Sequence, residues 1–417
     1  MRQHELRQQI IDEMHLRRWP GLHVPLTVWQ VVRTVADNER LAERKVLDAA
    51  IDAAAASSPP GARHIGGHLR SGVRFTWERH TEGSSLAVFV PFDISEADQT
   101  CAREWIEAFP GSVIRATQIT VVATGKDAED VTREFGLRPA DTVSGSIGNG
   151  IRFWSDFRLH ETGYGRLVVA AEGADPVTLS RRVQQLQELG NYRNMALLGL
   201  PAVREQWPAL DVIERKLRAF ALSVSDPQSR DDMLLGDVSA LSLDLATLNN
   251  AIGYRLDATK AYATLVAERL EDLRAEPVAN FLSLNDFIRR RFLPAERTCR
   301  AHKERLDKLT GRAADLTALL RARIETRIEN QNAQLLESME RRAEAQLRLQ
   351  QLVEGLSIVA ITYYGVGLFT YVVDALAAVM HVSNHDLIIG LSVPVIMLLI
   401  WLFMRFAKRR VLGNLAG

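Results

Sequence analysis

Cysteine is almost missing from this chain: two residues, Cys101 and Cys299, stand far apart among 417. That excludes a disulfide framework and fits a reduced compartment. An excess of charge is missing too, because 51 Lys and Arg balance 51 Asp and Glu. No broad cationic face is expected, and nucleic acid is not an expected partner. The enzyme signatures are also missing. The chain has no Gly-Lys-Ser/Thr phosphate loop, no Gly-x-Ser-x-Gly elbow, no His-Glu-x-x-His and no Cys-x-x-Cys, so no catalytic residue is named by motif. An apolar leader is missing from the start. Charges run from Arg2 to Arg18, which predicts no secretory signal peptide and leaves membrane insertion to other segments.

Charge itself is missing from two stretches near the end. No Asp, Glu, Lys or Arg occurs in 355–373 or in 387–404. As helices these runs are roughly 27–29 Å long, close to the hydrocarbon thickness of a bilayer. The residues between them, 374–386, are enough only to turn the chain around. The expectation is a transmembrane hairpin spanning 354–404, with the lipid bilayer as a partner. Arg341, Arg342 and Arg348 precede the first run; Arg405, Lys408, Arg409 and Arg410 follow the second; the turn carries no Lys or Arg. The positive-inside rule then places both termini in the cytoplasm, with a basic tail over 405–417. Asp374 and Asp386 would lie at the outer mouth and form an acidic ring if copies assembled. Tyr364-Gly365-Val366-Gly367 looks like a potassium filter but falls within the first run, without the re-entrant loop a filter needs.

Proline is absent between Pro294 and Pro394. From Ala295 to the first apolar run lie about 60 residues, a helix of about 90 Å if continuous. Leu306, Leu309, Leu316, Leu320, Ile324, Ile328, Leu335, Met339, Ala343 and Leu347 give it an apolar stripe. Asn330-Gln331-Asn332 interrupts that stripe, as a polar layer that fixes register or a solvated stretch of helix. A second stripe runs from Leu234 through Val238, Leu241, Leu245, Ile252, Leu256 and Val266 to Leu273, at coiled-coil spacing. Before residue 173 the period is different. Strands are expected over 73–77, 85–90, 112–122, 151–160 and 165–170, with helices over 28–55, 95–109 and 126–135. The fold class is therefore an α+β cytoplasmic domain, an all-α long-helix or coiled-coil stalk and a C-terminal two-helix transmembrane hairpin. The boundaries read 1–173 for the α+β domain, 174–294 for a helical domain and 295–353 for the stalk helix.

Candidate chemistry is confined to two ionisable segments. In Trp77-Glu78-Arg79-His80-Thr81-Glu82, extended chain would put Glu78, His80 and Glu82 on one face; Asp156, Arg158 and His160 would align likewise. The two faces are a candidate polar groove if paired, and charge-laced sheet faces if not. A divalent cation is the candidate cofactor, the sequence itself naming none. His64 and His68 enclose Gly66-Gly67 and read as a loop; Gly145, Gly148 and Gly150 read as a flexible loop with no helix after it.

Five ordered segments carry a resemblance. They are His4-Glu5-Leu6-Arg7 with Glu13-Met14-His15-Leu16-Arg17, Trp77 to Glu82, and Asp156-Phe157-Arg158-Leu159-His160. Glu188 with Tyr192-Arg193 before Met195-Ala196 comes next, then Leu293-Pro294-Ala295 through Val353-Glu354-Gly355 to Tyr364. On these the chain resembles a family of uncharacterised, membrane-anchored bacterial proteins, a domain of unknown function. Arg18 and Gly190-Asn191 depart from that family's usual wording. The resemblance implies a bacterial inner membrane and assigns no activity. The layout is also similar to CorA-type magnesium channels, which implies a homo-oligomer whose long helices line a pore. Their Gly-Met-Asn signature is absent, Thr370-Tyr371-Val372-Val373-Asp374 standing in its place. Three readings follow: a membrane-tethered scaffold or sensor with a cytoplasmic protein partner, a CorA-like cation channel, and a metal-dependent enzyme using the polar groove.

Overall fold

The computed structural model describes residues 4–7, 10–11, 18–50, 62–69, 73–148, 150–224, 226, 229–380 and 385–413. His15, His381, residues 57–61 and most of 6–16 lie outside them. So do the side chains of Asp386, Lys408, Arg409 and Arg410. The chain divides into two compact units, Met1–Ala318 and Leu319–Gly417.

The first unit begins with a sheet. Its strands are β1 (Leu26–Thr34), β2 (His64–His68), β3 (Arg74–Arg79), β4 (Gly83–Pro91), β5 (Ser112–Val122), β6 (Val143–Ile147), β7 (Ile151–Ser155), β8 (Gly165–Ala170) and the two-residue β9 (Glu276–Pro277). They lie in the order β2-β3-β4-β1-β5-β8-β7-β6-β9. Neighbours are antiparallel except β5 and β8, which run parallel. Helices α1 (Arg40–Ala50), α2 (Glu96–Glu107) and α3 (Gly125–Glu134) connect strands. Ser95 caps α2 and Thr124 caps α3, each accepting the backbone N–H three residues on.

Three expectations change here. The helix expected over 28–55 is strand β1 followed by the shorter α1. Val28, Val31 and Val32 in Leu-Thr-Val-Trp-Gln-Val-Val-Arg-Thr are β-branched and bury both faces of a central strand, so strict alternation was missing. The His64-Gly-Gly-His68 loop is strand β2, paired with β3. The glycine-rich loop is the β6–β7 hairpin, whose turn needs Gly148 (φ 58°) and Gly150 (φ 93°) in the left-handed region.

Helices cover both faces of the sheet. On one face Val31, Phe75, Trp77 and Val88 meet Ala102 and Ile106 of α2 and Leu47 of α1. Val122, Trp154 and Val168 meet Ala128 of α3. The other face packs Val28, Ile119, Phe153 and Leu167 against long helices. These are α4 (Pro176–Leu197), α5 (Gly199–Val224), α6 (Asp231–Leu273) and α7 (Leu284–Met380), the last 97 residues long. The stripe on α6 is buried at Val238, Leu241, Leu245, Ile252, Leu256, Val266 and Leu273. It meets α4 and α5, and Leu210, Leu241 and Leu306 share a core among α5, α6 and α7.

Helix α7 begins ten residues before the expected Pro294 start, and the proline lies inside it. The carbonyl of Pro294 accepts the Thr298 hydroxyl at 2.9 Å. Burial of Leu284, Ile288 and Phe292 against the sheet outweighs the one backbone hydrogen bond a proline removes.

The second unit holds the rest of α7 and α8 (His385–Gly413). Each has a window long and apolar enough to cross a membrane, and only 6 % and 0 % of these windows is buried. Gly365 faces Ile396 and Ile400, and an added Cβ would meet their side chains at 3.4 and 3.8 Å. The N-terminal mixed α/β sheet, long helices and C-terminal apolar helix are thus the architecture.

Candidate anion-binding cavity

The strand segments singled out in the sequence do not converge. β3 and β7 are separated by β4, β1, β5 and β8, about 24 Å at normal strand spacing, so the two ionisable faces form no common groove. β3 ends at Arg79, so His80 and Glu82 lie in the turn to β4. His80 Nε2 meets Ser85 Oγ at 3.2 Å. Glu82 accepts Arg255 Nη1 at 2.9 Å and Tyr262 Oη at 3.4 Å. Burial, with Glu82 beside it, pushes the Tyr262 phenol up to about 12. Glu78 lines a small crevice with His64, Thr76 and Gln184. Nearby, Glu188 accepts Arg269 Nε at 2.8 Å, and burial raises its carboxyl despite that cation. β7 ends at Ser155, so Asp156, Arg158 and His160 are loop residues. His160 Nε2 lies 3.2 Å from Asp156, and Arg158 reaches Asp141 at 3.8 Å. Among the described residues no three of His, Cys, Asp or Glu gather as a metal would require. Asp374 is exposed on α7, as are Asn330, Gln331 and Asn332.

One loop residue, Arg158, instead borders a feature that sequence reading missed. Between β5, the β7–β8 loop, α4 and the start of α7 lies a cavity of about 480 Å³. Arg115, Arg158, Arg166 and Arg193 line it, and no Asp or Glu does.

The wall follows from strand and helix periods. Gln30 of β1 and Arg115 of β5 point to the α4 side with Val28 and Ile119, because side chains alternate. On α4, Gln187, Asn191 and Asn194 share one face at steps of four and three. Arg115 Nη1 donates to Gln187 Oε1 at 2.6 Å, Asn191 Oδ1 at 2.7 Å and Gln30 Oε1 at 3.3 Å. A Cβ at Gly190 would stand 2.7 Å from the Arg115 guanidinium. Gly190 therefore gives that cation its room.

Arg193 is held differently. Its guanidinium carbon lies 4.7 Å from the Phe157 ring centroid and 5.9 Å from that of Phe287. Those two rings stack at 4.6 Å. Phe157 takes a left-handed φ of 52° to present its ring there, a conformation that strains a bulky residue. Among the described residues the only side-chain acceptor for Arg193 is Asn194 Oδ1, at 3.3 Å from Nε and 3.2 Å from Nη2.

Neither Arg115 nor Arg193 forms an ion pair with a carboxylate among the described residues. Burial, then repulsion from Arg193, pulls Arg115 down to about 9; burial pulls Arg193 down to about 10. Both remain cations at pH 7. Gln187 Nε2 is also buried without a hydrogen-bond partner among the described residues. Part-buried cations that have amide acceptors but no counter-charge are costly to a fold on its own, and they are what an anion needs. The arrangement can hold and orient an anion. It offers no paired acid and base at the cavity wall for proton transfer.

The segments quoted above now include two cavity arginines, Arg158 and Arg193. The family model agrees with them over nearly the whole chain, residues 2–411. The chain belongs to the family described as protein of unknown function (DUF3422). No curated protein and no solved structure matches it. Arg115, which donates to three amide oxygens at the cavity wall, lay in a strand read only for its apolar residues. An arginine within a strand whose next inward positions, Thr117 and Ile119, are buried was the signal available.

Proposed function

We propose that this protein is a membrane-anchored receptor, in which the sheet-bearing part binds an anionic ligand in the Arg115/Arg193 cavity. It is a sensor or scaffold, not a catalyst. The observation that carries the reading is a pair of arginines lining one cavity, held by amide oxygens and without a carboxylate partner among the described residues.

The two apolar windows form a transmembrane hairpin in a bacterial inner membrane, with both termini in the cytoplasm. Near-complete exposure of those windows supports this, because a core helix of a soluble protein would bury its apolar face. The distribution of arginines and lysines supports the orientation. Copies associate as a coiled-coil stalk through the exposed part of the 295–353 helix, Leu306, Leu309 and Leu320 being covered within the chain. Ile328, Leu335, Met339 and Leu347 are exposed at helical spacing and support a partner helix there.

One experiment tests ligand and anchor together. The chain is extracted from membranes washed with alkaline carbonate, and benzyl phosphate is titrated into it calorimetrically. The reading expects retention in the washed membrane and saturable heat in wild type that is lost in Arg115→Gln. Release by carbonate contradicts the anchor, and absence of saturable heat contradicts the receptor. A cation-conducting assembly is the second reading, favoured by exposed Asp374 at the end of the first apolar run. Proteoliposome flux that falls in the double variant Asp374→Ala, Asp386→Ala supports it, and unchanged flux removes the acidic ring.

A further inference from the structure

Resting on the receptor reading, the cavity also specifies what kind of anion it takes. Of the four arginines that line it, Arg158 reaches Asp141 at 3.8 Å and Arg166 donates to the Phe135 carbonyl at 2.9 Å. That leaves Arg115 and Arg193 as the pair to be compensated. Arg115 spends one nitrogen, Nη1, on three amide oxygens. Its Nε and Nη2 make no hydrogen bond among the described residues. Arg193 has its planar face on Phe157 and one amide acceptor at its edge. The two cations are near enough to repel each other. A monoanion would leave one of them uncompensated in a poorly solvated space, whereas a dianion neutralises both. Guanidinium forks match the oxygen geometry of phosphate.

Thr117, Ser155 and Asn194 add neutral polar groups to the wall. Phe153, Leu284 and Ile288 are almost fully covered by protein, and the accessible apolar surface comes from Val113 and Leu159, 55 % and 78 % exposed. A free inorganic ion would leave this surface wet and most of the 480 Å³ unused. With no carboxylate in the wall, nothing there pairs with a ligand cation.

We propose that the cavity binds a phosphate monoester, with its dianionic head between Arg115 and Arg193 and an uncharged apolar body against Val113 and Leu159. Gly190 and Phe157 are then positioning residues, one giving room to Arg115 and the other fixing the plane of Arg193.

The test is calorimetric titration of the full-length chain in nanodiscs at pH 7.5 with three probes. Phenyl phosphate has the dianionic head and an apolar body, phenyl sulfate has the same shape with one charge, and inorganic phosphate has the head alone. The proposal expects phenyl phosphate to bind at least tenfold tighter than either of the others. It expects at least tenfold weakening in Arg193→Met and in Gly190→Ala, with unchanged far-ultraviolet circular dichroism. Equal affinity for phenyl sulfate overturns the dianion, and equal affinity for inorganic phosphate overturns the apolar body. Either result leaves an anion receptor standing. If none of the probes binds saturably to wild type, the receptor reading falls with the proposal. The wild-type comparison stands even where a variant does not fold.

Discussion

Enclosed cations without counter-charges weaken the fold that holds them, and this gives single residues testable signs. Arg193 rests on two phenyl rings with one amide acceptor, so Met can keep the packing while removing the charge. Arg193→Met is expected to raise the melting temperature of the unligated chain by a few degrees. A structural role for the cation would lower it instead, and thermal unfolding distinguishes the two. His302 gives a pH-dependent prediction. It is 0 % exposed, neither ring nitrogen has a hydrogen-bond partner among the described residues, and its ring lies 5.6 Å from Trp207. Burial, then Arg305, lowers its pKa. The unfolded chain therefore binds a proton more readily than the folded one. Stability is full above the ordinary histidine value of about 6.5 and declines as pH falls through that value towards the folded one. His302→Phe is expected to flatten this part of the profile; melting temperatures at pH 7.5 and 5.5 for both proteins check it. An equal drop in the variant would assign the acid sensitivity to other groups.

At the level of elements, capping and periodicity explain most of what sequence alone made legible. Thr124 and Asp127 form a reciprocal capping box at the start of α3, with Thr124 Oγ1 accepting Asp127 N–H and Asp127 accepting Thr124 N–H at 3.1 Å. Thr124→Ala is expected to cost about 1 kcal/mol, measured by denaturant unfolding, with little change in anion affinity because α3 lies on the opposite face. Strands 112–122 and 165–170 and helices α2 and α3 were legible because their caps and alternation agree with their burial. β1 was not, because a central strand buried on both faces loses the period that marks a strand. Pro294 misled for a related reason: local propensity favours a start there, and tertiary burial of Leu284 and Ile288 carries the helix further back. The cavity was half legible. Arg158 and Arg193 stood in the segments that marked the family, but Arg115 joins them only through the β1–β5–α4 packing, which pairs residues 72 and 85 positions apart.

For the whole molecule, a receptor of the proposed kind needs a way to report occupancy. The proposed stalk provides one if copies assemble, and native mass spectrometry of the detergent-extracted protein should then give an integral multiple of 46.6 kDa. A single-chain mass would contradict assembly while leaving the cavity untouched. Leu284 and Ile288, which border the cavity, belong to the first turns of α7, the helix whose later residues carry an apolar window. The central claim is that Arg115 and Arg193 await an anion. Thermal unfolding of the full-length wild type and Arg193→Met, each with and without saturating phenyl phosphate, tests it most directly. The account predicts a ligand-induced rise of several degrees in wild type, and in the variant a higher starting temperature with no further rise. An equal ligand-induced rise in both proteins, or no rise in wild type, would contradict it.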